Sequence, residues 1–300
     1  MSSLIEQAAQ RLEQLRHAGV VPFQAPPQEA EAVPVIPRAR LPIERAAESR
    51  RIELDLAAMA AASIVTPSTP RSLIADQFRL IKRPLIHNAM GKGSAPPAHA
   101  NLIMVTSAVA GEGKSFTSIN LAVSIAAELD HTVMLVDADV ARPSLPGMLG
   151  VPDGRGLLDL LNGSAEMADV LLKTNIEKLT LLRSGTPHPR ATEMLASEAM
   201  RQLLDDMAKR YPDRIIVFDS PPLLFTTEAR VLATNMGQIV MVVRAGSTLQ
   251  TDVEHALSTI ESCPVRMMML NQTQADTEGT SGLGYGYGYG YGYGREKHGA

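Results

Sequence analysis

From residue 102 onward, short apolar runs alternate with longer segments of helical period. LIMVTSA (102–108), TVMLVDAD (132–139), KLTLLRS (178–184), RIIVFDS (214–220), QIVMVVRA (238–245) and VRMMMLN (265–271) have strand length. They are nearly continuous in apolar residues, the pattern of strands covered on both faces. Helical stretches lie between them, near 114–129, 192–210, 227–235 and 248–262. This alternation predicts an α/β fold, a doubly wound and mostly parallel sheet with helices on both faces.

Upstream the pattern changes. In residues 3–17, Leu4, Ile5, Ala8, Leu12 and Leu15 form an apolar stripe at helical spacing. A helix this short is marginal alone in water, so it is expected to dock on something. Residues 20–45 carry six prolines and read as a flexible, partly extended linker. RSLIADQFRLIKRPLIHN (71–88) is helical, with Pro84 expected to end or kink it. The resulting division is an N-terminal helix and Pro-rich region (1–72), a phosphate-loop domain (73–274) and a glycine-rich tail (275–300).

Composition narrows the function. Net charge is −4 and the pI is near 6.0, so the overall field gives no reason to expect nucleic-acid binding. The single cysteine, Cys263, rules out an internal disulfide and reads as an inert thiol in a reducing compartment. The seven histidines show no ligand spacing. No apolar run reaches the ~18 residues of a membrane span, and the N-terminus, with acids and no long apolar core, is not a secretory signal. A cytoplasmic protein that meets a membrane only through a partner is the expectation.

Three motifs carry chemistry. Ser107-Ala108-Val109-Ala110-Gly111-Glu112-Gly113-Lys114-Ser115 follows the first strand and opens a helix. That context suits a phosphate loop, although Ala108 stands where the usual pattern has glycine. Gly111 and Gly113 let successive amides turn inward as an anion nest, and the helix N-terminus points at the same place. Lys114 would then reach the β- and γ-phosphates and Ser115 would hold Mg²⁺. Ala110, Gly111, Glu112, Gly113, Lys114, Ser115 and Phe116 are the nucleotide-binding set. Next, Val136-Asp137-Ala138-Asp139-Val140-Ala141-Arg142-Pro143 closes the second strand. Acids two apart face one side of a strand end, where they can position Mg²⁺ and accept a proton. Arg142 would pair with phosphate or brace an acid. A solvated strand end is the plainer alternative. Third, Asp219 closes an apolar strand in IIVFDSPP, the place of the Mg²⁺-side carboxylate of nucleotide-hydrolysing folds. Asn271 closes the last strand and is either a base-edge contact or a turn residue. The GTP-specifying Asn-Lys-x-Asp is absent there, which favours ATP.

AGEGKS, VMLVDADVARP and IIVFDSPP resemble the Walker A, A′ and B motifs of the bacterial tyrosine kinases, a family that regulates polysaccharide synthesis and export. The match runs over about residues 73–293. The N-terminal SLIEQAAQRLEQL and the RRIELD to RPLI stretch look like the subset found beside exosortase-type exopolysaccharide loci. The resemblance implies Asp137 as catalytic base and Asp139 and Asp219 on the metal side, with Lys114 and Ser115 on the phosphates and Mg²⁺. It implies a homo-oligomeric ring joined through an acid-x-x-Arg-x-x-Arg helix, read here as Asp76, Arg79 and Lys82, with Arg83 as a substitute for Lys82. It also implies a membrane co-polymerase or chain-length activator, a cognate tyrosine phosphatase, and proline where this chain has Ala110.

The tail fits this picture. Five of the six tyrosines, Tyr285, Tyr287, Tyr289, Tyr291 and Tyr293, alternate with glycine. Glycine on each side removes steric hindrance, so each phenol can enter a kinase site in turn. Two other readings share the phosphate loop. One is a partitioning- or septum-type ATPase switch, which needs no tyrosine tail. Such proteins often carry a second lysine early in the loop, and Ser107 to Glu112 contains none. The other is a nucleotide-gated scaffold with a self-associating aromatic tail.

Overall fold

A computed structural model describes residues 50–68, 71–92, 97–210 and 213–273. The expected N-terminal helix, the Pro-rich linker and the tyrosine tail lie outside the described residues. Within them, seven strands form one sheet in the order β3-β4-β2-β5-β1-β6-β7. The strands are β1 (Leu102–Ser107), β2 (Thr132–Asp137), β3 (Leu171–Lys173), β4 (Leu179–Leu182), β5 (Arg214–Asp219), β6 (Gln238–Arg244) and β7 (Val265–Asn271). All neighbours pair in parallel except β3, which runs antiparallel to β4. The six expected strands are all present; the short antiparallel edge strand β3 was not foreseen.

Alternation along the central strands builds two cores. Met104, Met134, Ile216, Phe218 and Met241 point into one. Ile103, Val105, Val133, Leu135, Val217 and Val240 point into the other. Both faces of these strands are therefore buried, which is why their sequences are continuously apolar. The edge strand β7 departs from that pattern. Met267 and Met269 pack inward, whereas Met268 and Leu270 are more than half exposed.

The helices are α1 (Leu56–Ala61), α2 (Leu73–Ala89), α3 (Lys114–Ala126), α4 (Leu145–Leu149), α5 (Leu157–Leu161), α6 (Met167–Val170), α7 (Ala191–Leu195), α8 (Glu198–Arg210), α9 (Thr227–Ala233) and α10 (Gln250–Ser258). Asp55 caps α1 by accepting from the amides of Ala57 and Ala58. Leu54, Met59 and Ile64 are buried in the second core, and the amide and carbonyl of Leu54 both bond the side chain of Asn175. The folded domain thus begins upstream of the expected boundary at residue 73.

Helix α2 continues through Pro84 to Ala89, against the expectation of a break there. Pro84 and Leu80 are both exposed, so the carbonyl that proline leaves without an amide faces water. Phe78, Lys82 and Leu85 on the opposite side are buried and hold the helix to the domain.

Candidate active site

The phosphate loop joins β1 to α3 at the carboxyl edge of the sheet, with β5 on one side of β1 and β6 on the other. Gly111 (φ +83°) and Gly113 (φ +92°) both adopt the left-handed backbone that glycine tolerates. Gly113 also has no room for a side chain, because a Cβ would lie 2.1 Å from Nδ2 of Asn271. That amide donates to the Glu112 carbonyl at 2.8 Å. The Glu112 carboxylate is buried and turned away from the phosphate side. It accepts from the amides of Val109 (2.8 Å) and Arg244 (3.2 Å) and from the Thr248 hydroxyl. The loop is therefore braced from β6, β7 and the turn before α10, and its shape is set without a ligand.

Parallel pairing of β2 with β5 makes Asp137 and Asp219 register partners, so their backbones run about 4.8 Å apart. Both residues are fully buried. Burial above all, then repulsion from Asp219 and Asp139, pushes the Asp137 carboxyl up to about 8. Neither of its oxygens accepts a hydrogen bond of good geometry among the described residues, although the backbone amides of Leu145 and Asp139 lie close enough to pull the value partly back down. Burial also raises Asp219, against the opposing pull of Lys114, Ser115 and Ser118. Ser118 Oγ donates to Asp219 Oδ1 at 3.0 Å. Ser144 Oγ donates to Ser115 Oγ at 2.7 Å and lies 3.5 Å from Asp219 Oδ2. Asp139, just past the strand, pairs with Lys114 Nζ at 2.7 Å and accepts the Arg142 amide at 3.2 Å.

A cleft of about 690 Å³ opens in front of Lys114, Ser115, Asp139 and Ser144, with Asp137 and Asp219 buried behind its lining. Its polar side is Gly111, Gly113, Lys114, Ser115, Asp139 and Arg142. The apolar part of its lining includes Met148, Pro221, Pro222 and Phe225.

The residues fit a nucleotide and Mg²⁺. Two buried, unpartnered carboxylate oxygens on Asp137 beside the raised Asp219 leave negative charge that only protons or a cation would compensate. No three acids, histidines or cysteines converge as a complete metal cage among the described residues. That suits Mg²⁺, which binds one or two carboxylates and takes its other oxygens from phosphate and water.

Comparison with known proteins bears on this site. The family model described as "ParA: NUBPL iron-transfer P-loop NTPase" matches residues 98–270, more than half of the chain. Tyrosine-protein kinase YwqD of Bacillus subtilis (strain 168) is 27% identical over 206 residues, covering 69% of this chain and 83% of the relative. Tyrosine-protein kinase CpsD of Streptococcus pneumoniae serotype 4 is 35% identical over 159 residues, 52% of this chain and 67% of the relative. The chain belongs to the bacterial tyrosine-protein kinase family, built on a ParA-type P-loop NTPase fold. Among solved structures, the BceF tyrosine kinase domain superposes with a TM-score of 0.59 at 26% identity, covering 72% of this chain and 86% of that one. Some members are longer. The chain spans 26% of the length of tyrosine-protein kinase ptk of Acinetobacter johnsonii, at 32% identity over 199 residues, 66% of this chain.

The expected site residues of this family member divide into groups. Lys114, Ser115, Asp137, Asp139 and Asp219 converge at one place, and Ala110, Gly111, Gly113, Phe116 and Arg142 line the same cleft. Arg142 is exposed at the mouth, and its backbone rather than its guanidinium braces Asp139. Asn271 and the Glu112 side chain serve the loop's shape, and neither lines the cleft.

Lys82 is a correction. It is buried, with its ammonium 2.8 Å from Glu128 Oε1 and donating to the Ser124 carbonyl at the end of α3. Asp76 and Arg79 lie exposed on α2 and pair with each other. Six residues from Asp76, Lys82 has turned about 120° round the helix, whereas Arg83 at seven comes back to within about 20°. Arg83 is exposed and stands on the Asp76 side. The apolar wall of Met148 and Phe225 was not foreseen. Phe225 follows IIVFDSPP closely, and an aromatic residue just past an acid-bearing strand end was the signal available.

Proposed function

We propose that the chain is an ATP-dependent protein-tyrosine autokinase that phosphorylates Tyr285, Tyr287, Tyr289, Tyr291 and Tyr293 in trans within an oligomer. The observation that carries this reading is the buried Asp137 in register with Asp219, at the same sheet edge as a braced phosphate loop whose Lys114 pairs with Asp139. Lys114 would exchange Asp139 for the phosphates of ATP. Ser115, Asp139 and Asp219 would hold Mg²⁺, which when bound neutralises charge developing on the transferred group. A tyrosine oxygen forms the new bond to the γ-phosphorus as the bond from phosphorus to the β–γ bridging oxygen breaks, and ADP leaves with that oxygen. The phenolic proton passes to Asp137 in its ionised form, which positive charge from Lys114 and a bound cation would favour against the burial that otherwise holds this carboxyl protonated.

The wider role follows the family resemblance. Subunits would join through α2 by Asp76, Arg79 and Arg83. Each phosphate adds about −1.5 to −2 charges to the tail, so full modification would expel it and loosen the ring. A cognate tyrosine phosphatase would reset it. No helix among the described residues is long and apolar enough to cross a membrane. We place the protein in the cytoplasm, recruited to the inner membrane by a co-polymerase or chain-length activator, where it regulates exopolysaccharide synthesis and export of the exosortase-associated type.

The test mixes an active chain lacking residues 275–300 with full-length Lys114→Met, in labelled ATP and Mg²⁺. Phosphotyrosine in the tail of the Lys114→Met chain is expected. Released phosphate without phosphotyrosine would favour an ATPase switch, and neither product would leave a scaffold.

A further inference from the structure

The cleft is wider than a phosphate site needs, and two large apolar side chains in its lining are exposed. Phe225 is 68% exposed and Met148 37%, although both lie in a concave site with buried apolar neighbours. This exposure is not the looseness of a free loop. The segment after β5 is tied to the phosphate loop by the amide of Leu223 on the Ser107 carbonyl (2.8 Å) and that of Leu224 on the Ala108 carbonyl (3.2 Å). Thr226 Oγ1 donates to the Pro222 carbonyl at 3.1 Å, and Arg230 Nε donates to the Leu223 carbonyl at 2.9 Å. Met148 projects from α4, whose Leu145, Pro146 and Leu149 are buried. Two apolar side chains are thus held out on a fixed frame, in the same cleft as Lys114.

The position of this wall in the sheet decides what it fits. Met148 follows β2 and Phe225 follows β5, the two strands that carry Asp137 and Asp219. The wall therefore stands on the acid side of the phosphate loop, where the terminal phosphate and the proton acceptor belong. The other side of the loop, toward β6 and β7, is where Asn271 and Thr248 brace it. An adenine ring leaving the loop on that side would lie away from Met148 and Phe225. The described chain also ends on this sheet edge. Asn271, the last residue of the parallel strand β7, lies 2.8 Å from the Glu112 carbonyl. From residue 273 to Tyr285 is twelve residues, a reach of at most about 40 Å.

We infer that Met148 and Phe225 form an acceptor seat that clamps the phenol ring of a glycine-flanked tail tyrosine and turns its hydroxyl toward the aspartates. This rests on the kinase reading above. An aromatic ring edge and a thioether both make favourable contacts with a phenol face. Glycine on either side of each tyrosine lets the backbone pass close to the Pro221-Pro222 rim. The seat selects tyrosine over serine and threonine, whose short side chains leave Phe225 and Met148 uncovered.

The test uses the full chain with its five tail tyrosines changed to Ala, so that no tethered ring competes for the seat, assayed on a separate Gly-Tyr-Gly-Tyr-Gly peptide. Phe225→Ala and Met148→Ala are expected to raise the peptide KM about fivefold to tenfold, with a smaller fall in kcat. Phe225→Leu should recover part of the loss. Binding of a fluorescent ATP analogue reports the nucleotide separately and is expected to keep its Kd. An unchanged peptide KM in Phe225→Ala overturns the seat while leaving the kinase reading intact. A parallel rise in the nucleotide Kd also overturns it, by assigning the wall to the nucleotide. A parent chain that transfers no phosphate to any tyrosine overturns both.

Discussion

Gly113→Ala tests whether the phosphate loop is held by its own packing. The new methyl meets two obstacles. The backbone at φ +92° is a left-handed conformation that costs an L-residue about 1–2 kcal/mol. The Cβ would also lie 2.1 Å from Asn271 Nδ2, so that side chain must swing out and give up its 2.8 Å bond to the Glu112 carbonyl. Losing that bond costs a further ~1 kcal/mol. The total, about 2–3 kcal/mol, is read as a lower urea midpoint at unchanged m-value. The same substitution in an Asn271→Ala background meets no amide, so only the backbone strain of about 1–2 kcal/mol remains. A coupling energy near 1 kcal/mol between the two positions is therefore expected. Equal costs in the two backgrounds would refute the contact, and a cost below about 0.5 kcal/mol in the wild-type background would refute the strained loop as well.

Two further perturbations probe the groups around the loop. Folding raises Asp137 from 3.8 to about 8, so between those values the folded chain keeps a proton that the unfolded chain has released. This carboxyl alone therefore lowers stability as pH rises, by about 1.4 kcal/mol per unit, beside a contribution of the same sign from the raised Asp219. Asp137→Asn should make the slope shallower between about pH 5 and pH 7.5 in nucleotide-free urea titrations; an unchanged slope would contradict the buried carboxyl. Lys82→Met leaves Glu128 without its partner, and a loss of about 1–3 kcal/mol is expected because Glu128 still reaches water. Lys82 holds the Glu128 carboxyl below its ordinary 4.5, so this difference should shrink as pH falls below that value. A pH-independent difference would mean the pair adds nothing.

The central sheet was legible because its strands are buried on both faces and so read as unbroken apolar runs. The site was legible for a related reason: strand, glycine turn and helix in that order place Lys114 and Ser115, and acids closing β2 and β5 must meet at one edge. What the chain concealed was local. LLK (171–173) is too short for any periodicity to show a strand. Pro84 punctuates a sequence but not a helix whose opposite face is buried. Lys82 reads as a surface charge until Glu128 and the Ser124 carbonyl, more than forty residues away, supply its partners. Glu112 sits inside the loop motif, yet its carboxylate serves Val109, Arg244 and Thr248, a set brought together only by the tertiary fold. Phe225 and Met148 come from separate elements, and neither alone marks a wall.

The most direct measurement is site mapping by mass spectrometry after incubating the full chain with ATP and Mg²⁺, beside its Lys114→Met variant. The account predicts phosphate on Tyr285, Tyr287, Tyr289, Tyr291 and Tyr293 of the unmodified chain and none on the variant. An unmodified tail on a chain that binds ATP, or equal labelling of both proteins, would contradict it.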